Sequence, residues 1–438
     1  MNLVEQVRMA GVVGAGGGGF PTHVKLAAKA DTVIANGAEC EPLLHKDAAV
    51  MEHQAREMVR GIQLAMEAVG ATKGVVGLKE KNQHAVEAVL AACQGTAVTV
   101  RLLGDFYPTG DEFDLVYEIT GRLIPPGGIP LNVGVVVCNV ETFVNVAAAA
   151  EGRPVTQKTL TIAGAVRAPQ TITVPLGTSL RECLAAAGGA TVSDPVLAIG
   201  GMMMGETTDE LDRPVTKTTG GVIVLARDHH VIERKLKPVA AQNAIGKSAC
   251  DQCRYCTELC PRYLLGYAVE PHQVMRSLAF TATGAAHWNE WAAMCCACGL
   301  CTLYACPEEL FPKEACDQSK AEMKKANLKW SGPTTVKPHP MREGRLLPIK
   351  TLMKKLNLTQ YDHAAPWQPT TLAPRQVVLP LKQNAGTACS PLVRSGDQVL
   401  AGQALGAIPE KSLGAMLHAP FAGTISAVTS ASITLTRS

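Results

Sequence analysis

Eight cysteines in two compact runs constrain this chain more than any other feature of its sequence. Each run has three cysteines spaced by two residues and a fourth that is followed by proline. The two runs are Cys250, Cys253, Cys256 and Cys260, and Cys295, Cys298, Cys301 and Cys306. Three thiolates at this spacing can surround one face of a cubane cluster, but the fourth lies too far along the chain to close easily on the same cluster, and in two-cluster ferredoxins it ligates the other one. We therefore predict two [4Fe–4S] clusters, each built from the first three cysteines of one run and the last cysteine of the other.

Two zinc sites are the alternative interpretation of the same cysteines. Zinc modules usually pair two CxxC knuckles across a longer spacer, whereas here four cysteines share one short segment. The second run departs from the ferredoxin pattern, with four residues instead of three before its last cysteine and an additional Cys296 beside Cys295. The spacing from Cys296 to Cys298 is too tight for the usual ligand loop, so Cys296 is predicted not to be a ligand. Two clusters predict a role in electron transfer.

Length and charge bound the remaining possibilities. A chain of 438 residues is long enough for roughly three or four domains. Its 41 basic and 38 acidic residues leave a net charge of +3 with no basic block, so neither nucleic acid nor an anionic membrane surface is a predicted partner. Cluster-type cysteines and the lack of a charged-then-apolar leader favour a reducing cytoplasm. The longest apolar stretch, from Val133 to Ala150, is interrupted by polar residues, which predicts a soluble protein without a membrane span.

Composition divides the chain into five predicted segments. Residues 1–150 alternate short β-branched runs with helical stretches, as expected for a largely parallel sheet. Residues 155–240 suggest a small β-rich domain with one helix, and residues 243–328 carry the cysteines among helical segments. The prolines of residues 329–372 predict an extended surface linker with one short helix. Residues 373–438 return to short strands separated by glycine, which predicts a compact all-β module.

A glycine-rich loop and two polar strand ends form the second chemical signal. The loop runs from Gly14 to Gly19, and its missing side chains allow backbone N–H groups to approach a phosphate or a flat cofactor. The pattern alone is weak, because no convincing strand precedes it and no P-loop ending follows it. Polar residues also follow two predicted strands, at Asn36 to Glu41 and at Asn139 to Thr142. Since open α/β sheets bind ligands at the carboxyl ends of their strands, these groups together predict a nucleotide and flavin pocket.

Taken in order, the segments GAGGGGFPTHVK, NGAECEP, YPTGDE, GRLIPPGGIPLNVGVVV and NVET resemble the flavin- and NADH-binding domain of the RnfC family. That domain is itself similar to the NADH-binding subunit of respiratory complex I. The resemblance continues into an SLBB-like segment and includes both cysteine runs. With a barrel-like module at the C-terminus, the arrangement resembles most closely the PduS-type cobalamin reductase family of propanediol-utilisation microcompartments. The implied fold class is multidomain α/β, with a Rossmann-like FMN/NADH domain, a β-grasp SLBB domain, a helical two-[4Fe–4S] ferredoxin domain and a C-terminal barrel-sandwich module.

The resemblance also implies which residues contact the cofactors. The implied FMN- and NADH-binding residues are Gly14, Gly16, Gly17, Lys25, Asn36, Glu39, Glu41, Asn139 and Thr142. Ala38 stands where the complex I motif has an aspartate, so the flavin contacts are expected to be shared but not identical. No general base is assigned, because hydride transfer between nicotinamide and flavin requires none.

The implied activity is the NADH-dependent reduction of cob(III)alamin or cob(II)alamin through FMN and the two clusters, which would reactivate a diol dehydratase. The implied location is the cytoplasm, within a bacterial microcompartment, with shell proteins or a cobalamin adenosyltransferase as partners. The alternative is an electron-transfer adaptor that delivers NADH electrons to a protein partner, as RnfC does. The sequence contains no D-x-H-x-x-G cobalamin motif, so a corrinoid site is not predicted.

Two terminal features have open interpretations. Residues 3–8 predict a short amphipathic helix, which is either the first helix of the domain or an encapsulation peptide. The C-terminal module resembles a biotinyl or lipoyl domain, but Lys411 lacks the flanking residues of a modified lysine. We therefore predict an unmodified module that serves structural packing.

Overall fold

The computed structural model describes residues 1–282, 285–287, 289–369 and 372–438. Its first region is an α/β unit built on a four-stranded parallel sheet. The elements of this region are α1 (Leu3–Met9), α2 (Thr22–Leu26), β1 (Thr32–Gly37), α3 (Lys46–His53), α4 (Ala55–Val69), β2 (Lys73–Lys79), α5 (Gln83–Cys93), β3 (Val98–Leu103), β4 (Phe106–Tyr107), α6 (Glu112–Thr120), β5 (Val135–Asn139) and α7 (Val140–Ala150). In the strand order β3-β2-β1-β5, strands β2 and β3 lie on one side of β1 and β5 lies on the other side. The first helix is part of this unit, because Val7 is fully buried in its core.

Local sequence explains where several of these elements begin and end. The buried strands β1, β2 and β5 are rich in valine, isoleucine and alanine, as expected for strands covered on both faces. Asp111 caps α6 by accepting hydrogen bonds from the amides of Phe113 and Asp114. Gly70 and Gly121 end α4 and α6 in the left-handed conformation that favours glycine. These local signals determine where the helices begin and end, and therefore the lengths of the connections between the strands.

The second region is a mixed sheet with two helices packed on it. Its elements are β6 (Gln157–Gly164), β7 (Gln170–Pro175), α8 (Leu180–Ala186), β8 (Pro195–Ile199), β9 (Glu206–Thr208), β10 (Gly221–Ala226) and α9 (His230–Leu236). Ser179 and Glu182 form a reciprocal capping box at the start of α8. Strands β6 and β10 pair in parallel, whereas β6 with β7 and β10 with β8 pair antiparallel. The region is β-rich as predicted, but it contains two helices, α8 and α9, where the sequence predicts one.

The cysteines lie in a third, helical region. Its helices are α10 (Val239–Ala249), α11 (Tyr255–Glu258), α12 (Pro261–Leu264), α13 (Pro271–Phe280) and α14 (Pro312–Lys325), and a π-type turn spans Cys301–Ala305. Prolines occupy the first turns of α12, α13 and α14, where their missing N–H groups cost nothing. Among the described residues, no helix combines the length and apolar character that a bilayer span requires.

The segment 329–372 differs from the extended surface linker that the prolines predict. It contains β11 (Leu347–Pro348), α15 (Ile349–Lys355) and β12 (Trp367–Gln368), while residues 370 and 371 lie outside the described part of the chain. Strand β11 pairs with β4, and β12 extends the second sheet beside β7. Its buried side chains include Leu347, Leu352 and Leu356. The prolines interrupt helices and strands here, but the apolar residues between them pack the segment against other parts of the protein. These are the first region, the second region and the region that carries the cysteines.

The C-terminal region consists of two small antiparallel sheets. Its strands are β13 (Gln376–Pro380), β14 (Ser390–Pro391), β15 (Gln398–Val399), β16 (Ala404–Ala407), β17 (Leu417–His418), β18 (Gly423–Val428) and β19 (Ser432–Arg437). One sheet has the order β13-β19-β18-β15 and the other β14-β16-β17. Their apolar side chains share one core with the first region. Lys411 lies between β16 and β17 in the left-handed conformation.

Candidate functional site

The two polar strand ends lie side by side at the switch point of the parallel sheet. Strand β1 pairs in parallel with β5, and Asn36 stands opposite Asn139 in this register. The connections from β1 run toward β2 and β3 on one side, and β5 lies on the other. A crevice forms at such a reversal in open α/β sheets, and ligands bind there. The sequence correctly predicts that these strand ends meet at one edge.

The glycine loop closes over this edge. Gly14 donates its amide to the carbonyl of Phe20, and the amide of Ala15 donates to Oγ1 of Thr142 at 3.0 Å. A Cβ atom added at Gly16 would lie 3.2 Å from Asn139, whereas one added at Gly17 would meet no atom within 4 Å. Gly17 also has a φ of 111°, which disfavours other residues. The loop thus leaves open space in front of the strand ends, which fits a flat or phosphorylated group.

A network of buried charges supports the loop from below. Lys46, Asp47, Glu141 and Lys158 are all at most 5% exposed. Lys46 Nζ lies 2.6 Å from Asp47 Oδ1 and 3.1 Å from Glu141 Oε2, while Lys158 pairs with the same Glu141 oxygen. Lys158 Nζ also donates to the carbonyl of Ala15 at 2.8 Å. Two cations and two anions therefore fix the loop to the ends of β5 and β6.

Burial and pairing act in opposite directions on the groups of this network. Burial lowers the pKa of Lys158 to about 8, although its pairing with Glu141 favours the charged form. Burial alone would raise the pKa of Glu141, but the charges of Lys158 and Lys46 outweigh it and lower that pKa below the ordinary value. The sequence analysis missed Lys46, Asp47 and Lys158, because none belongs to a motif. The one available signal was a lysine inside the apolar run that forms β6.

The predicted binding residues Lys25 and Asn36 are engaged at the same edge. Lys25 Nζ donates to the carbonyl of Val137 at 2.8 Å and pairs with Glu112 at 3.2 Å. Asn36 Nδ2 donates to the carbonyl of Gly110 at 2.9 Å. These bonds join the strand ends to the segment that precedes α6.

The two predicted acidic residues have different surroundings. Glu39 Oε1 accepts the amide of Glu41 at 3.0 Å, and burial together with the charge of Asp47 raises the pKa of Glu39. The carboxylate of Glu41 accepts the amides of Met203 at 2.8 Å and Met204 at 2.7 Å. Burial raises the pKa of Glu41 to about 7. Glu41 therefore fastens the first region to the β8–β9 loop of the second.

The β8–β9 loop also reaches the second cysteine run. Met202 and Met203 are buried in the same apolar cluster as Cys298 and Leu300. A Cβ atom added at Gly299 would lie 3.0 Å from the carbonyl oxygen of Met203. From the first region, the buried Tyr107 hydroxyl donates to the carbonyl of Cys298 at 2.6 Å. The switch-point edge and the second cysteine run are thus joined by continuous packed contacts.

The first three cysteines of the first run and the last cysteine of the second run surround a small common cavity. Cys250, Cys253, Cys256 and Cys306 all line it. Burial, together with the neighbouring thiols of Cys306, Cys253 and Cys250, raises the pKa of Cys256 to about 12. N–H groups point at two of these sulfurs, from Gln252 Nε2 to Cys250 Sγ at 3.1 Å and from the amide of Leu310 to Cys306 Sγ at 3.3 Å. Such donors are typical around cluster-bound sulfur.

The other group forms around Cys260. Burial raises the pKa of Cys260 well above its ordinary value, and the adjacent Cys296 and Cys295 thiols contribute in the same direction. The hydrogen bond with Cys296 is the largest cause of the raised pKa of Cys298, and burial is the largest cause of the raised pKa of Cys301. The charge of Cys260 raises both pKa values further, so Cys260 lies close to both thiols. Both fourth cysteines therefore lie with the opposite run, as the crossover pattern requires. The additional Cys296 lies within this second group.

A cysteine outside the two runs also contacts the second group. The buried thiol of Cys316 on α14 hydrogen bonds with Cys295, and this bond lowers the pKa of Cys295 to about 7. Within the described ranges, no three His, Cys, Asp or Glu side chains form a group that could hold a metal ion as they stand. The assignment of eight ligands therefore rests on the shared cavity, the crossover and the N–H···S bonds.

Comparison with known families matches four segments of the chain in order. Residues 7–148 match the Nuo51 FMN-binding domain and residues 159–207 the SLBB domain. Residues 249–311 match a 4Fe-4S dicluster domain, and residues 365–437 match the RnfC barrel sandwich hybrid domain. These matches confirm the predicted multidomain fold class and the predicted FMN and iron–sulfur cofactors.

Individual proteins resemble the chain over different lengths. Cobalamin reductase PduS of Citrobacter freundii is 43% identical over 99% of this chain and 96% of its own length. The protein of the same name from Salmonella typhimurium is 42% identical over the same shares. A component of the Na(+)-translocating ferredoxin:NAD(+) oxidoreductase complex of Acetobacterium woodii is 37% identical, over 60% of this chain and 58% of its own.

A solved structure is similar in fold. A chain of the NAD+-reducing [NiFe]-hydrogenase in the H2-reduced state aligns with a TM-score of 0.50 and 21% identity, covering 73% of this chain and 62% of that one. At this identity the likeness concerns the fold alone.

Proposed function

This chain belongs to the family of PduS cobalamin reductases, and from that premise we propose that it takes electrons from NADH and passes them through FMN and two [4Fe–4S] clusters to cobalamin. FMN, when bound, accepts two electrons as hydride and releases them singly to iron–sulfur clusters, which nicotinamide cannot do. The chain's own residues hold these groups in place and exclude water between them.

The observation that carries the proposal is the packed connection between the switch-point edge and the second cysteine run. Glu41 binds the β8–β9 loop, Met203 of that loop lies against Gly299, and Tyr107 donates to the carbonyl of Cys298. Protein contacts therefore run without a break from the strand ends to the second cysteine run. This arrangement suits a protein whose purpose is to move electrons between two fixed groups.

The assignment of individual binding residues is part of the same proposal. We assign FMN binding to the open glycine loop, Thr142, Lys25 and the amide side chains of Asn36 and Asn139. Glu39 and Glu41 border the nicotinamide. The buried network of Lys46, Asp47, Glu141 and Lys158 keeps the loop in one conformation, which reduces the ordering cost of binding. The ligands of the two clusters are the eight cysteines in their crossed arrangement.

The cellular setting proposed here rests on the family resemblance. We place the protein in the cytoplasm, inside a bacterial microcompartment, where it reactivates the cobalamin of a diol dehydratase. Shell proteins and a cobalamin adenosyltransferase are the proposed partners. Co-purification of the chain with intact microcompartments tests this setting independently of the activity.

Anaerobic stopped-flow spectroscopy tests the activity. FMN- and cluster-loaded protein is mixed with NADH and hydroxocobalamin while flavin, cluster and corrin absorbance are followed separately. We expect corrin reduction to keep pace with flavin reoxidation. A Cys253→Ser variant should retain NADH-dependent flavin reduction but lose corrin reduction. Glu41→Gln should slow corrin reduction, whereas Glu52→Gln, on the outer face of α3, should match the unmodified protein.

The same experiment separates the reductase from the adaptor hypothesis. If NADH bleaches flavin and clusters while cobalamin stays oxidised, the chain delivers its electrons to a protein partner instead. Reduction of cobalamin at an undiminished rate in Cys253→Ser would show that electrons reach cobalamin without the cluster that Cys253 ligates, and the role proposed for that cluster would then be wrong.

A further inference from the structure

A large open groove lies on the surface of the cysteine region beside Cys306. It has a volume of about 760 Å³ and runs between α11, the π-type turn and α15. This size falls within the range typical of ligand sites, about 300–1,000 Å³. The residues that matter for its chemistry are Tyr255, Tyr304, Cys306, Lys354, Lys355 and Asn357.

The groove shares one wall with a cysteine group. Cys306 lines the groove and also the small cavity that it forms with Cys250, Cys253 and Cys256. The other cysteine group contacts the flavin side through Cys298 and Tyr107. The Cys298 group is therefore in contact with the switch-point edge, and the Cys306 group is in contact with the groove.

The lining combines aromatic surface with amide and cationic groups. Tyr255 is 54% exposed, so its ring is accessible to a flat ligand. Lys354 and Lys355 are exposed at the end of α15, and Asn357 follows them. Burial would raise the pKa of Glu309, but its hydrogen bond with His230 and the charge of Arg234 lower it, and both contribute more than the charge of Lys355. The two lysines are thus available to an anionic ligand.

We propose that this groove is the docking site of the corrinoid, an inference that rests on the proposed cobalamin reductase function. A corrinoid offers a flat macrocycle to the tyrosines, peripheral amides to Asn357 and one phosphodiester to the lysines. Its cobalt would face the wall formed by Cys306. Each docked cob(III)alamin takes one electron and becomes cob(II)alamin. One NADH, which becomes NAD+ and releases a proton, therefore reduces two of them.

Charge reversal in the groove tests the assignment. In the double variant Lys354→Glu/Lys355→Glu, we expect the KM for hydroxocobalamin to rise at least about tenfold, since losing one charge-assisted contact to the phosphodiester already has that effect. The rate at which NADH bleaches flavin and clusters without an acceptor should be unchanged. The matched control Lys324→Glu/Lys329→Glu makes the same change in net charge on an exposed surface outside the groove and should leave the KM unchanged.

The outcomes distinguish this inference from the activity on which it rests. If the unmodified protein fails to reduce hydroxocobalamin, the proposed function itself is wrong. If it reduces hydroxocobalamin and the groove variant has an unchanged KM, the function stands and the groove is not the docking site. An equal rise in both double variants would indicate a general charge effect and would also overturn the assignment.

A measurement on the unmodified protein avoids any question of folding. Amine acetylation with and without saturating hydroxocobalamin, read by mass spectrometry, should show Lys354 and Lys355 at least about threefold less reactive when the corrinoid is present, as expected for side chains buried by a ligand. Lys324 should react equally in both samples. Full reactivity of the groove lysines at saturation would exclude the corrinoid from the groove and leave it to a protein partner.

Discussion

Replacing Glu141 with glutamine removes one negative charge from the buried network without changing the shape of the side chain. Glu141 pairs with both Lys46 and Lys158 and accepts the amide of Thr159 at 3.1 Å. In the Glu141→Gln variant, Lys46 would keep its pair with Asp47, whereas Lys158 would lose the carboxylate with which it pairs. Removing one partner of a buried ion pair generally costs about 3–5 kcal/mol.

Proton release by Lys158 limits this cost. Its pKa of about 8 is only one unit above neutral pH, so holding its proton there is worth about 1.4 kcal/mol. In the variant, Lys158 can release this proton and remain neutral. The loss of folding free energy at Lys158 is therefore no more than about 1.4 kcal/mol at neutral pH. Weakened pairing of Lys46 adds about 1–2 kcal/mol. We therefore expect a total destabilisation of about 3 kcal/mol at neutral pH, the low end of the range for buried pairs.

The same reasoning predicts how the defect depends on pH. Lysine titrates near 10.4 in an unfolded chain, so a lowered native pKa makes stability rise with pH between the two values. In the unmodified protein this rise begins near pH 8, whereas in Glu141→Gln it begins at lower pH because Lys158 is already neutral. The difference in stability should therefore shrink by up to about 1.4 kcal/mol for each pH unit from about pH 6 to 8 and then level off. Glu141 has a lowered pKa and stays charged throughout.

Thermal unfolding at about pH 6, 7 and 8 checks both statements. In a domain of about 150–250 residues, a loss of about 3 kcal/mol lowers the Tm by roughly 6–12 °C. The control Glu151→Gln breaks the surface pair with Arg153, in which both side chains are 63% exposed, and should cost at most about 1 kcal/mol. If Glu141→Gln and the control had the same Tm at every pH, the argument that these charges hold the loop would be refuted.

Three further changes test other parts of the structure. Cys260→Ser should lose about half of the iron and leave the same electron paramagnetic resonance signal as Cys298→Ser, whereas Cys296→Ser should keep both signals; a different residual signal would contradict the crossover. Burial lowers the pKa of Lys217 to about 7. Above pH 7, the free energy of unfolding of the unmodified protein, relative to that of Lys217→Met, should therefore rise by about 1.4 kcal/mol per pH unit. Thermal scans measure this difference, and parallel curves of stability against pH for the two proteins would refute the prediction. Tyr107→Phe removes the donor to the Cys298 carbonyl and should slow cluster bleaching in stopped flow while flavin reduction and cofactor content stay unchanged; an unaltered rate would show that this contact is not needed.

Much of the candidate site was predictable because its chemistry is written in short segments. The spacing of the cysteines predicts two clusters, and the runs that follow β1 and β5 predict polar groups at one sheet edge. The structure brings Asn36 and Asn139 into register there. Such predictions succeed because a strand end or a ligand loop is defined by a few consecutive residues and by general rules of sheet topology.

Other features could not be predicted, because they depend on distant contacts. Lys46 and Lys158 lie far apart in the chain and carry no motif, yet both pair with Glu141. The proline-rich segment 329–372 suggested a linker, but Arg342 is buried against Asp114 and Glu118 of α6. Proline restricts the backbone locally and does not prevent the residues between prolines from packing.

The sequence by itself determined the ligand types, the order of the domains and the segments in which the site had to lie. Ligand spacing and apolar periodicity act over a few residues, so they can be seen in the linear chain. Only the tertiary structure decided that Glu41 fastens the flavin region to Met203, that the Cys298 group faces the flavin edge, and that the Cys306 group opens on a groove. These relations depend on how separately formed units bury their remaining apolar surfaces against one another, and no local pattern encodes that geometry.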